Sequence, residues 1–175
     1  MFFYTEIDNP LVLQNNLAGI YSFANAVQPI KSFGFETNVR FGYDIAKLFI
    51  GYTYTNAKAK YLAENQLLPL QSKHRINSAF VLEKEDSFKA GIEAYYTGNQ
   101  YLSNNFRTKA FAEFGLFAEK IFGKFSLFIN AENITDVRQS RFGQVVFPPH
   151  QNPVFSEIYT HTEGRIFNGG IKIRF

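Results

Sequence analysis

Three histidines, one long polar stretch and a set of alternating charges are the groups in this sequence best suited to chemistry. The histidines are His74, His150 and His161. His150 and His161 share a stretch with Glu157 between them, whereas a metal site needs closer spacing and a third ligand. No metal site is expected. Ser140 and Asp136 lie near His150, but no nucleophile elbow surrounds the serine. No catalytic residue is expected, and the chain reads as something other than an enzyme. The cysteine count is 0, which removes thiolate metal sites and disulfide scaffolds. No cofactor is expected.

The stretch from Ile134 to Glu163 is the best candidate for binding. It carries Arg138, Arg141, Phe142, His150, Phe155, Tyr159 and His161, types that suit contact with a polar or anionic ligand. Loops this long within a compact domain are usually functional, although some only connect. A second group comprises Glu36, Arg40, Arg75, Lys89, Glu93, Glu113, Glu119, Lys172 and Arg174. These read as the lining of a hydrated wall, paired with neighbours or forming a path for an anionic chelate.

Strands must position these residues, because the dominant period is two. From Ser32 to Tyr43, Phe33, Phe35, Thr37, Val39, Phe41 and Tyr43 alternate with Ser32, Gly34, Glu36, Asn38, Arg40 and Gly42. The pattern recurs over Lys73 to Glu83, Ser87 to Gly98, Lys109 to Glu119, Lys124 to Asn133 and Gly164 to Phe175. Lys47 to Ala57 is less clean, since Phe49 falls with Gly51, Thr53 and Thr55. Gly19 to Ala26 alternates poorly and is joined through Pro29 to the following strand, with a bulge there. With Phe2 to Ile7 the fold class is all-β, an antiparallel meander of about eight long strands. No helix is visible.

Short connections at Asp44-Ile45-Ala46, Lys84-Glu85-Asp86 and Ile121-Phe122-Gly123 alternate with long ones. Short turns at one end and long loops at the other describe a transmembrane β-barrel with its long loops outside the cell. The apolar faces carry no charge mid-strand, and a charge there costs roughly 2–4 kcal/mol at the bilayer midplane. Glycines crowd the polar face, and aromatics gather toward strand ends, as in interfacial girdles. Lipid is therefore the expected partner of the apolar face. The net charge of +3 comes from scattered basic residues interleaved with acids, so no nucleic-acid partner is expected.

Several segments resemble TonB-dependent outer-membrane receptors of the Bacteroidetes type. The final stretch, Glu163 to Phe175, resembles the last strand of that family, with Phe167, Gly169, Ile171, Ile173 and Phe175 at every second position. Tyr52-Thr-Tyr-Thr-Asn-Ala57, Lys73-His-Arg-Ile-Asn77, Ser32-Phe-Gly-Phe-Glu36, Ala131-Glu-Asn-Ile-Thr-Asp136 and Pro148-Pro-His-Gln-Asn-Pro153 are similar to family segments in the same order. The resemblance implies active uptake of a scarce nutrient, such as a ferric siderophore or a vitamin, across the outer membrane of a Gram-negative cell. It also implies that the last strand is read by the barrel-assembly machinery. Family members carry a plug domain that meets the TonB complex, and a barrel of about 22 strands. Neither plug nor TonB box is found in residues 1–175, which read as one incomplete domain, and Met1-Phe2-Phe3-Tyr4 is not a signal peptide. Two alternatives remain: a self-contained eight-stranded outer-membrane barrel, and a soluble sandwich or lipocalin-like module with its apolar face inward.

Overall fold

The structure, a computed structural model, describes residues 1–15, 20–63 and 65–174. Eight strands form one antiparallel sheet in the order β1-β4-β5-β6-β7-β8-β9-β12. They are β1 (Phe2–Ile7), β4 (Ile30–Tyr43), β5 (Ala46–Ala59), β6 (His74–Lys84), β7 (Phe88–Thr97), β8 (Phe111–Phe122), β9 (Phe125–Glu132) and β12 (Ile166–Ile173). Short strands fill two of the long connections: β2 (Leu11–Asn15) with β3 (Tyr21–Asn25), and β10 (Val146–Phe147) with β11 (Val154–Phe155).

The short turns form because their residues tolerate positive φ. Asp44 (φ 50°), Asp86 (φ 53°) and Gly123 (φ 61°) supply it where β4–β5, β6–β7 and β8–β9 reverse. Asp and Gly reach this region at low cost, so the chain turns within two or three residues. Tight reversal fixes the register: Tyr43 faces Ala46, Lys84 faces Phe88 and Phe122 faces Phe125.

Register then sorts the side chains. One row reads Phe80, Ile92, Leu116, Ala131 and Phe167 across β6, β7, β8, β9 and β12. The adjacent row on the other face includes Glu93 opposite Gly115. The apolar face is uncovered: Phe33 is 46%, Ile92 40%, Leu116 45% and Ile171 66% exposed. So large an exposed apolar surface is foreign to a soluble monomer and fits hydrocarbon. A sandwich would have buried these residues, so the soluble alternative fails. The charged residues on this face lie near the strand ends: Glu6, Lys31, Lys58 and Lys84 in the last row of their strands on that face, and Lys120 one row in, before Phe122. Among the described residues no helix is long and apolar enough to cross a membrane; the crossing elements are strands.

Phe49 is the exception in the apolar pattern. It lies on the polar face opposite Arg40, whose guanidinium stands 5.0 Å from its ring centre. A cation over an aromatic face gives the ring a polar partner. Tyr95 also belongs to the polar face, facing Asn77 and Glu113, so it is no part of a lipid-side girdle. Glycines on this face make room for side chains lying flat. A Cβ on Gly51 would strike the amides of Asn38 and Asn77, and one on Gly91 would strike the Phe117 ring and the Phe80 carbonyl.

Three expectations need correction. The segment before Pro29 does not continue into β4. Instead β3 folds back on β2, with Leu13 facing Phe23, and Asn25 Nδ2 donates to Asn9 O at 2.8 Å to close the base. Pro29 lacks an N–H and breaks the strand there; β4 itself pairs with constant register and has no bulge. Gly19 and most of the connecting tip lie outside the described residues. A single helical turn, α1 (Gln139–Phe142), exists where none was expected. Finally, β8 begins at Phe111 rather than Lys109.

The sheet does not close on itself. Among the described residues β1 pairs with β4 alone and β12 with β9 alone. The β1–β12 pairing that a self-contained eight-stranded barrel would need is absent among the described residues.

Candidate functional site

The loop between β9 and β12 is built from its first residue. Asn133 (φ 49°) turns the chain off β9, its Oδ1 accepting from Val137 N and its Nδ2 donating to Val137 O, both at 2.8 Å. Asn tolerates the left-handed conformation and caps the turn it makes. Ile134 N donates to Phe114 O at 2.8 Å, tying the turn to β8. Asp136 (φ 57°) follows, buried, and gathers both arginines: Arg141 Nη2 lies 2.9 Å and Arg138 Nη2 3.3 Å from its Oδ2. Removal of that carboxylate would leave two cations without their partner.

The loop then folds back on itself. Buried Gln139 donates from its backbone N to His161 O at 2.6 Å and from Nε2 to Glu157 O at 3.3 Å, while its Oε1 accepts from Tyr159 N at 3.2 Å. One side chain thereby bridges the outgoing and returning halves. Phe142 sits between Phe111 of β8 and Tyr159, tilted 42° to each ring, with ring centres 6.1 and 5.9 Å apart. Burial pushes the Tyr159 phenol up, so it is a neutral donor at physiological pH. The β10–β11 hairpin projects from this base and exposes His150 and Phe155.

Neighbouring loops join the layer. Glu157 accepts from Ser103 N at 2.7 Å and from Ser103 Oγ at 3.0 Å, and Gln100 Nε2 donates to Tyr159 O at 3.3 Å. Leu70 N in turn donates to Tyr101 O at 2.8 Å. Leu102, Thr108, Ser72, Val137 and Gln139 are buried here. The most enclosed part of the chain is thus the loop layer over the sheet's end, which charged sheet faces alone would not supply.

Below the loop lies a concavity of about 580 Å³, lined by Glu93, Tyr95, Glu113, Thr160, His161 and Glu163 among others. His161 Nε2 stands 2.5 Å from Glu113 Oε1, joining loop to wall. Tyr95 OH donates to Glu93 at 3.2 Å, and Asn168 Nδ2 donates to Glu132 at 3.2 Å. Deeper, Lys172 Nζ reaches Glu119 at 2.9 Å, and Ser126 Oγ donates to the same carboxylate at 2.6 Å. A second concavity of about 430 Å³ runs along Lys89, Glu93, Glu119 and Lys172.

The expected site residues fall as follows. Arg138, Arg141, Phe142, Tyr159 and His161 meet at the base of the loop, whereas His150 and Phe155 stand apart at its tip. Glu36, Arg40, Arg75, Lys89, Glu93, Glu113, Glu119 and Lys172 all project from the polar face. Arg174, just past β12, reaches Asp86 at 3.5 Å. Phe167, Gly169, Ile171 and Ile173 share the apolar face of β12; Phe175 lies outside the described residues. His74 sits on the apolar face, its Nδ1 2.8 Å from Tyr52 OH, far in register from the loop histidines. Among the described residues no group of three His, Cys, Asp or Glu side chains could hold a metal ion. Gln139 and Gln100 were missed by sequence reasoning, and Asn133 entered it only as part of the Ala131–Asp136 segment, without a role in the loop.

A family model described as TonB dependent receptor-like, beta-barrel matches residues 2–134. No curated protein matches the sequence. Among solved structures, the copper transporter OprC superposes with TM-score 0.74 at 13% identity, covering 99% of this chain and 28% of that one. A mutant of the ferric enterobactin receptor PfeA from Pseudomonas aeruginosa gives 0.74 at 18% identity, covering 99% and 28%. The ferric yersiniabactin uptake receptor FyuA from Yersinia pestis gives 0.69 at 13%, covering 99% and 27%. At these identities the likeness is one of fold, and the present chain spans little more than a quarter of those receptors' length.

Proposed function

This chain belongs to the TonB dependent receptor-like β-barrel family, and we propose that it forms the C-terminal wall and extracellular loops of a receptor importing a scarce nutrient. Members of this family are receptors and transporters of the Gram-negative outer membrane, not enzymes. The nutrient class we infer is a metal chelate, such as a ferric siderophore, or a vitamin. One observation carries the reading: the sheet is uncharged hydrocarbon between two rims on one face and lined with paired charges on the other. Such a wall separates lipid from water, and a receptor needs it where a polar solute crosses.

The remaining parts follow from chemistry. An edge strand in lipid leaves unpaired backbone groups that cost several kcal/mol each. The free edges of β1 and β12 therefore belong against further strands of one larger barrel, about 22 in this class. Residues 1–175 are then an incomplete domain. Energy coupling would come from the TonB complex through a plug domain, and β12 would be the strand offered to the barrel-assembly machinery. Ligand contact is assigned to Arg138, Arg141, Phe142, His150, Phe155, Tyr159 and His161, above a wall lined by the polar-face charges.

Uptake measurements on the intact receptor test this. In cells limited for iron, copper or cobalamin, deletion of the receptor is expected to abolish uptake of one radiolabelled chelate or vitamin. The wild-type gene should restore it, and a copy lacking residues 137–163 should not. Unchanged uptake of every such solute would contradict the reading.

A further inference from the structure

Residues 157–161 cross the end of the polar wall as a strap. They belong to no strand or helix. Among the described residues the backbone ties them down once, from Gln139 N to His161 O, and the other ties run through the side chains of Gln139, Gln100, Glu157 and His161. A segment without a ladder opens locally at low cost. The Thr160 hydroxyl is covered in the docked strap and has no hydrogen-bond partner. Leaving a covered polar group unpaired costs free energy, so the strap is only weakly held.

The strap also divides space. Ile158, Thr160 and His161 line the concavity of about 580 Å³ and a neighbouring one of about 460 Å³, which reaches Arg75 and Thr97. Glu113 lines both, so its contact with His161 stands between them as a strut.

That strut is where a proton counts. Histidine is the side chain whose charge ordinarily changes between about pH 5 and 8. A neutral imidazole can still donate from Nε2 to Glu113, but protonation makes the bond charge-assisted and roughly twice as strong. The surroundings favour the cation. Glu93 and Tyr95 of β7, Glu132 of β9 and Glu163 of the loop line the larger concavity, and among the described residues no Lys or Arg does. Arg75 of β6, across the smaller concavity, is the opposing guanidinium. The other nearby charges are engaged: Arg138 and Arg141 by Asp136, Glu157 by Ser103, and Lys172 by Glu119 deeper in the wall. Tyr159, on the strap itself, stays neutral.

We propose that His161 is a proton-operated latch on the loop between β9 and β12. Protonated, it pins residues 157–161 to Glu113 and keeps the two concavities apart. Neutral, it lets the strap lift, and the concavities merge into one chamber. The contact is strongest where the imidazole carries its proton, so the latch tightens as pH falls and loosens as pH rises.

Hydrogen exchange of the full-length receptor in mild detergent, read by mass spectrometry over residues 157–163 at about pH 6 and about pH 8, tests this. Rates are taken relative to those of the unstructured peptide at each pH. No solute is added, so the outcome is independent of the import function proposed above. The wild type is expected to be about fivefold better protected at the lower pH. His161→Gln keeps a donor but cannot gain a charge, and should be equally protected at both. Glu113→Gln should lose most of the difference, and His74→Gln, on the apolar face, should retain it. Equal protection of the wild type at the two pH values would overturn the proposal. So would a pH difference that survives undiminished in His161→Gln or Glu113→Gln, which would place the titrating group elsewhere.

Discussion

His161 lies with Nε2 2.5 Å from Oε1 of Glu113, so a residue near the end of the longest loop is fastened to the inner wall at β8. The carboxylate is mostly covered and the imidazole more than half exposed. A side-chain contact of that exposure contributes about 0.2–1 kcal/mol. Glu113→Gln is therefore expected to speed hydrogen exchange of the Tyr159–Glu163 amides by up to about fivefold while leaving the strands unchanged. No change in those amides would mean that Gln139 and the Phe142 ring contacts hold the loop down without it.

Asp136 should matter more than His161. It is buried and serves two arginines at once. Asp136→Ala is expected to weaken the loop base by about 1–3 kcal/mol, as removal of one member of a covered charge group does. Limited trypsin digestion of the folded receptor reads this directly. Cleavage after Arg138 and Arg141 should be slow in the wild type and fast in the variant. Equal rates would show that the two arginines are held without the carboxylate.

The two faces of the sheet should respond oppositely to a new charge. Leu116→Arg places a cation mid-strand on the apolar face and is expected to cost about 2–4 kcal/mol of stability in lipid vesicles. Thr53→Lys places one mid-strand on the polar face, in register with Glu36 and Arg75, and should stay within about 0.5 kcal/mol of wild type. Denaturant titration of the refolded receptor distinguishes them. Equal costs would mean that both faces meet the same medium.

Glycine positions provide a control on packing inside the wall. Gly91→Val drives a side chain into the Phe117 ring and the Phe80 carbonyl, and overpacking of that kind costs about 1–3 kcal/mol. Gly42→Val meets nothing within 4 Å and is expected to be neutral. A shift of the unfolding midpoint for Gly42→Val as large as that for Gly91→Val would place the crowding elsewhere.

The sheet was legible in the sequence because one medium acts on a whole face. A single misplaced charge between Phe33 and Tyr43 would be costly, so alternation there is strict and its register follows from the Asp and Gly turns. Phe49 broke the pattern for a pairwise reason, its contact with Arg40, and no period reveals a contact across strands. The β2–β3 hairpin was misread because it pairs only with itself beyond the apolar band. Leu13 and Phe23 face each other there without a face-wide rule, and Pro29 looked like a bulge rather than a break. The loop site was legible as a stretch and illegible as a geometry. Nothing in the order of residues joins His161 to Glu113 or Glu157 to Ser103, since those contacts depend on how neighbouring loops stack.

Lipid contact itself is the most direct test. Residues 1–175 contain no cysteine, so single cysteines carrying a spin label can be placed along β6, β7 and β8 of the intact receptor in bilayers, once any cysteine elsewhere in that receptor is replaced by serine. Labels at Phe80, Ile92 and Leu116 should be reached by oxygen dissolved in the bilayer and shielded from a water-soluble nickel chelate, and labels at Asn77, Lys89 and Glu93 should show the reverse. Chelate access at the first three positions, with lipid access at the second three, would contradict the account.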